Sequence, residues 1–262
     1  MITFLKLGGS LITDKNTPHT ARPEVIRRIA EEIHAAWNPK KDPLLIGHGS
    51  GSFGHVPAKK YGTRHGVRTK SEWAGFAEVH AEATALNHIV TDILRDAGLP
   101  ILSFVPMNCI HTENGKVISW DITQINNCFD HHLIPLVFGD TVFDSVRGGT
   151  ILSTEDLFTH LCDEFQETPR ILLAGLEEGV WKDFPSNTEL VREISANYTG
   201  DNSFIHGSAS TDVTGGMHEK VHLMQELIRR NKADSALIFS GEIPRNVQSV
   251  LEGQRIGTAI LK

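Results

Sequence analysis

The sequence predicts an alternating α/β protein with a mainly parallel central sheet. Three observations support this. Short apolar runs alternate with longer stretches whose apolar residues recur at helical spacing. Several of those runs end abruptly in glycines, as strands do when they pass into a loop. No internal repeat, low-complexity segment or heptad pattern points to another architecture. The order of the strands is left open.

Thr3-Phe4-Leu5-Lys6-Leu7 reads as the first strand and is followed at once by Gly8-Gly9-Ser10. Lys6 is either a surface lysine on an edge strand or a cation at the carboxyl end of an inner one. Ligands of open α/β sheets gather at those ends, and the adjoining glycines favour the second reading. Lys15 follows closely enough to fold back over the same place. Ile26, Ile29, Ala30, Ile33 and Trp37 predict a helix over 22–37, with Pro23 in its first turn and Asn38-Pro39 at its end. Leu44-Leu45-Ile46 is the second strand. It runs into Gly47-His48-Gly49-Ser50-Gly51-Ser52-Phe53-Gly54-His55, a glycine-rich turn that opens a helix. From 55 to about 70 the chain reads as polar and irregular, either a solvated basic face or a lid beside an anion.

Phe76, Val79, Ala83, Leu86, Val90 and Ile93 predict the longest helix, over 71–97. Most of these belong to the core, although Trp73, Phe76, Val79 and Ala83 could equally line an apolar pocket beside the glycine loop. A strand over 101–105, a hairpin turning at Asn114-Gly115 and a short helix over 122–129 follow. Residues 133–138 form a buried strand leading to Gly139-Asp140, 143–149 read as loop, and Glu155-Asp156 open a helix to about 165. The second half begins near Glu167-Thr168-Pro169 and divides the chain into lobes 1–166 and 167–262. It contains a strand over 170–174, a turn over 175–181 and an irregular stretch over 182–205. Thr211 to Gly216 then lead into a helix carrying Lys220 early, and strands follow over 235–239 and 258–261. A lysine in a first helical turn opposes the helix dipole. It is either a solvent-facing residue with a trivial penalty or a partner for an anion held there, and the composition favours the anion.

Hydrophobic content of 40%, charged content of 22% and a net charge of -7 describe an ordinary globular chain and oppose long-range attraction to nucleic acid. The opening residues do not read as a signal peptide, and no run reaches membrane-spanning length, so a cytoplasmic protein without membrane insertion is expected. Cys109, Cys128 and Cys162 are widely spaced and imply free thiols rather than a disulfide framework or a zinc cluster. His131 and His132 lack partners at metal spacing, and no metal ligand is assigned. There is no GxxxxGK[ST] run. Glycine-rich loops let a backbone approach phosphates closely. Combined with Lys6, Lys15 and Lys220, they suit phosphoryl transfer, which needs positioning and charge neutralisation more than covalent chemistry.

The segments KLGGSLITDK (6–15), HGSGSFGH (48–55), GFAEVHAEATALN (75–87), FGDTVFDSVRGGTILS (138–153) and DVTGGMHEK (212–220) are together similar to the isopentenyl phosphate kinases of the amino-acid kinase superfamily. The resemblance covers nearly the whole chain. It implies a three-layer α/β/α sandwich, an acceptor lobe over 1–166, a nucleotide lobe over 167–262, and a homodimer. It further implies transfer of the γ-phosphoryl group of ATP, with Mg2+, onto isopentenyl phosphate. His55, Lys6, Lys15 and Lys220 are then catalytic. Gly8, Gly9, Gly49, Ser50, Gly51, Gly54, Gly139 and Asp140 face the acceptor, whose prenyl tail lies on Phe76, Val79 and Ala83. Gly9, Ser10, Gly175, Gly179, Gly215 and Gly216 join the lysines around the nucleotide. The chain departs from the family's pattern at Ser50, at Val56, at Ser153-Thr154-Glu155-Asp156 and across 175–181, and either Glu155 or Asp156 could orient the lysines. A kinase of another small phosphate or phosphonate such as fosfomycin, and a non-catalytic nucleotide-binding protein of the same fold, are the alternatives.

Overall fold

The computed structural model describes residues 1–41, 43–198 and 216–262. The first half comprises β1 (Thr3–Leu7), α1 (Gly9–Ile12), α2 (Pro23–Ala36), β2 (Leu44–His48), α3 (Gly51–Tyr61), a 3-10 turn (Thr63–His65), α4 (Lys70–Asp96), β3 (Ile101–Phe104), α5 (Pro106–Cys109), β4 (Ile110–Glu113), β5 (Lys116–Trp120), α6 (Thr123–Asp130), β6 (Ile134–Phe138), β7 (Asp140–Asp144), β8 (Gly148–Leu152) and α7 (Thr154–Glu164). The second comprises β9 (Arg170–Gly175), β10 (Val180–Trp181), β11 (Leu190–Val191), β12 (Glu193–Ser195), α8 (Met217–Arg229), β13 (Ser235–Ser240), α9 (Asn246–Leu251) and β14 (Thr258–Leu261).

Eight strands form the central sheet in the order β12-β14-β13-β9-β1-β2-β6-β3. Every pairing is parallel except β13 with β14. Side chains alternate across such a sheet. Phe4, Leu45, Val137, Leu173 and Ile238 enter the core beneath α7 and α8. Leu5, Leu7, Ile46, Leu172 and Phe239 enter the core beneath α2, α4 and α9. The result is the three-layer α/β/α sandwich. Lys6 lies on the same face of β1 as Phe4, the face that α7 covers. β1 is inner, not an edge: it pairs with β2 on one side and β9 on the other, and Leu7 is level with both His48 and Ala174. The strand order therefore reverses at β1, with β2 on one side and β9 on the other, which opens a crevice at the carboxyl ends of the strands.

Three stretches are more regular than their composition suggests, among them the one expected to be irregular over 182–205, which supplies β11 and the sheet-edge strand β12. Residues 55–61 continue α3 rather than forming an irregular lid. Phe53, Pro57 and Ala58 are buried, and the chain packs against α4 where a side chain on Gly75 would meet the Tyr61 ring at 2.1 Å. Residues 143–149 are not a loop but the end of β7, a turn and the start of β8, in a four-stranded sheet of order β5-β4-β7-β8. Asp144 organises that turn, accepting from the amides of Asn114, Gly115, Val146 and Arg147 at 2.7–3.0 Å. Cys128 and Cys162 are buried free thiols, and Cys109 is half-buried. Among the described residues, no helix is long and apolar enough to cross a membrane.

Candidate active site

The two glycine loops after β1 and β2 lie backbone against backbone. A Cβ on Gly9 would stand 2.5 Å from the Gly51 nitrogen, and one on Gly49 would stand 2.9 Å from the Gly9 nitrogen. Gly51 adopts φ +49° and leaves no room for a side chain beside Thr13. Any larger residue at these contacts would part the loops. Two of the amides expected to face phosphate are already committed: Gly8 donates to Ala174 O at 2.8 Å and Gly49 to Leu7 O at 3.1 Å. The next amides, those of Gly9, Ser10 and Ser50, stand at the starts of α1 and α3 on the same cavity. There a helix leaves its N–H groups without intrahelical partners.

These loops floor a cavity of about 1260 Å³, counted with its open mouth. Its wall brings together Lys6, Gly8, Gly9, Ser10, Lys15, Gly49, Ser50, Gly54, His55, Val79, Gly139, Gly175 and Lys220. Both halves of the chain thus supply cations to one space. Ala58, Val79, Ile151 and Leu152 give it an apolar side. Several expected residues lie off the wall. Gly51 faces Thr13 beneath the floor. Phe76 is buried in an aromatic group with Trp73 and Phe143 at 5.2 and 5.4 Å, and Ala83 is buried in α4. The Asp140 carboxylate is fully buried and accepts from His80 Nδ1 at 3.0 Å, holding that imidazole above its ordinary pKa. Gly179 packs against Thr258. Gly216 is the N-cap of α8, beside the wall residue Met217. Gly215 lies outside the described residues.

The strongest electrostatic feature is a buried ion pair. Lys6 Nζ contacts Glu155 Oε1 where both side chains are about nine-tenths shielded from solvent. Burial pushes the Glu155 carboxyl up, but the charges of Lys6 and Lys220 outweigh this and hold it below the usual range. Glu155 reaches this place because α7 is pinned at its start. Ser153 and Asp156 form a reciprocal capping box, with 2.7 Å from Ser153 N to Asp156 Oδ2 and 3.1 Å from Asp156 N to Ser153 Oγ. Thr154 Oγ1 donates to His48 O at 2.6 Å. The absence of a side chain on Gly47 lets α7 press onto β2, because a Cβ there would meet Thr154 at 2.4 Å. The two acidic residues therefore divide the work: Glu155 pairs with the lysine, and Asp156 caps the helix.

The two histidines of the glycine loop separate in the same way. His55 stands on the cavity wall. His48 is fully buried, stacked on Phe138, with Nδ1 3.1 Å from Gly49 O and Nε2 3.3 Å from Asn87 Oδ1. Burial lowers its pKa, so at neutral pH it is an uncharged brace for the loop. Arg64, which the sequence offers only as one member of a basic run that is either a solvated face or a lid beside an anion, is placed on the wall by the 3-10 turn. The signal was a basic run, and nothing in its spacing separates the inward arginine from its outward neighbours. Among the described residues, no group of three or more His, Cys, Asp or Glu side chains could hold a metal ion.

The family model for the amino acid kinase family matches residues 1–240. A curated isopentenyl phosphate kinase of Methanocaldococcus jannaschii is 32% identical, over 99% of this chain and 98% of its own length. Another, from Arabidopsis thaliana, is 30% identical over 83% of this chain and 81% of its own. A solved isopentenyl phosphate kinase structure superposes with a TM-score of 0.80 at 27% identity, covering 99% of this chain and 100% of that one.

Proposed function

The chain belongs to the amino acid kinase family and, within it, to the isopentenyl phosphate kinases, and from that premise we propose that it moves the γ-phosphoryl group of MgATP onto isopentenyl phosphate. An oxygen of the acceptor monophosphate forms a bond to Pγ as the bond from Pγ to the β,γ-bridging oxygen breaks. The products are isopentenyl diphosphate and ADP. The single observation behind this reading is the meeting of Lys6 and Lys15 from residues 1–166 with Lys220 from residues 167–262 on the cavity that also holds His55.

In this reading the first lobe holds the acceptor and the second the nucleotide. The amides at the starts of α1 and α3 cradle phosphate oxygens, and His55 donates a hydrogen bond that aligns the acceptor. No general base is required, since a phosphate monoester is already anionic near neutrality. The lysines neutralise charge spreading over the transferring group, which is where such enzymes obtain most of their rate. Of the two carboxylates on the wall, Glu155 is paired with Lys6 and Glu177 accepts from Trp181 Nε1, so magnesium would be held chiefly by the nucleotide phosphates, whose charge it shields. Ala58, Val79, Ile151 and Leu152 suit a branched hydrocarbon tail better than a short polar phosphonate. A cytoplasmic homodimer is the form the resemblance supports.

The test is a panel of acceptors with MgATP, reading products by mass. Turnover of isopentenyl phosphate with none of fosfomycin is the expected result. Turnover of fosfomycin alone would replace this reading with the phosphonate kinase, and ATP binding without any product would favour the non-catalytic protein.

A further inference from the structure

The cavity wall carries one cation that this reaction scheme leaves unused. Arg64 sits in the 3-10 turn between α3 and α4, and its main chain is tied to β8. Its carbonyl accepts from Thr150 Oγ1 at 3.0 Å and from Arg147 Nη1 at 3.3 Å. Its guanidinium lies farther along, with Nη2 3.4 Å from Asp156 Oδ2. The side chain therefore runs beside β8 from Thr150 toward the start of α7. Its head lies at the capping box that opens α7, against Asp156 and close to the wall residue Ser153.

The guanidinium is only partly satisfied there. Asp156 Oδ2 already accepts from Ser153 N and Ser153 Oγ, both at 2.7 Å, so Arg64 makes the longest contact to it. Arg64 Nη1 is buried and has no hydrogen-bond partner among the described residues. A guanidinium carries five N–H donors in a rigid fork that matches phosphate oxygens. A buried donor left unpaired is costly until an acceptor arrives.

We propose that Arg64 binds the phosphate of the acceptor, its guanidinium turning so that the unpaired Nη1, closed off from solvent in this structure, meets phosphoryl oxygens from the side of the cavity formed by β8, while Asp156 anchors its other edge. This deepens the kinase reading and rests on it. Lys6 is paired with Glu155 and Lys220 belongs to the other lobe, whereas Arg64, in the lobe assigned to the acceptor, shares the wall with Ala58, Val79 and Ile151. An acceptor lacking phosphate would not engage it.

The experiment compares wild type, Arg64→Gln and Arg64→Lys in steady-state kinetics and in calorimetric titration with isopentenyl phosphate and, separately, with MgADP. Wild-type turnover of isopentenyl phosphate tests the underlying reading independently, since its absence would end that reading whatever the variants do. Given turnover, Arg64→Gln is expected to weaken isopentenyl phosphate binding about 10- to 100-fold. MgADP binding and the melting temperature should stay unmoved. Arg64→Lys, which keeps the charge and loses the fork, should fall between the two. Unchanged isopentenyl phosphate binding in Arg64→Gln would overturn the proposal. So would equal losses for both ligands, the mark of a merely structural residue. If Arg64→Gln does not fold, Arg64→Lys decides: unchanged affinity for isopentenyl phosphate would refute the role.

Discussion

Replacing Glu155 with Gln separates the charge that holds Lys6 from the shape that surrounds it. The variant keeps the side-chain volume but leaves an ammonium on a residue only 8% exposed without its carboxylate. Removing one partner of a buried ion pair costs about 3–5 kcal/mol. The open mouth of the cavity admits water, so the lower figure applies. For a chain of this size, each kcal/mol corresponds to about 2–4 °C, giving a fall of roughly 6–12 °C in melting temperature. Nucleotide phosphates can replace the lost counter-charge. The deficit should therefore shrink when MgADP is added, and MgADP affinity should hold or tighten. Turnover should still drop on the order of 100-fold, because Lys6 is no longer held where charge develops. Thermal melts with and without MgADP, read beside kcat, give all three quantities. A melting temperature within about 2 °C of wild type, together with unchanged kcat, would refute the claim that Glu155 positions Lys6.

Three other substitutions probe separate parts of the structure. His55→Ala should reduce kcat on the order of 100-fold with an unchanged melting curve, and unchanged turnover would remove the role given to that imidazole. Glu32 on α2 accepts from Arg28 Nη1 and from the amides of Arg245, Val247 and Gln248, so it caps α9, whose own N-cap makes no side-chain bond. Glu32→Ala should cost about 2–3 kcal/mol in urea unfolding, and an unchanged midpoint would show that α9 needs no such cap. Burial pushes the Asp144 carboxyl up, but the amides of Gly115, Arg147 and Val146 and the Thr112 hydroxyl outweigh it and bring its pKa to about 2. That depressed value stabilises the fold above the unfolded carboxylate range and stops doing so as pH falls through about 2. The stability gap between wild type and Asp144→Asn should be roughly 2 kcal/mol at neutral pH and close progressively below about pH 4. A gap that does not vary with pH would contradict the assignment.

Much of this architecture is written locally. The apolar runs ending at Gly8, Gly49, Gly139 and Gly175 mark strands whose carboxyl ends converge, because parallel strands joined by helices place those ends on one edge of the sheet. The lysines were legible for the same reason: Lys6 breaks a strand, and Lys220 opposes a helix dipole. What escaped depends on contacts distant in sequence. Phe143 to Gly149 looks like loop because Asp, Ser and Gly favour turns. It becomes a hairpin because the Asp144 carboxylate gathers amides from the neighbouring Asn114-Gly115 turn. The choice between Glu155 and Asp156 is invisible in sequence, since both suit a first helical turn. Only the capping box turns one toward Ser153 and leaves the other for Lys6. Phe76 follows the same helical periodicity as Val79, yet packs on Phe143 of the small sheet, while Val79 reaches the cavity.

If donor and acceptor phosphates face each other in the one cavity, no side chain stands between them as a phosphoryl carrier. The stereochemical course at phosphorus tests this directly. Transfer from ATP made chiral at Pγ with oxygen isotopes should give isopentenyl diphosphate with inverted configuration, the mark of a single in-line displacement. Retention would mean two successive displacements through a phosphorylated protein group, and would contradict the face-to-face arrangement.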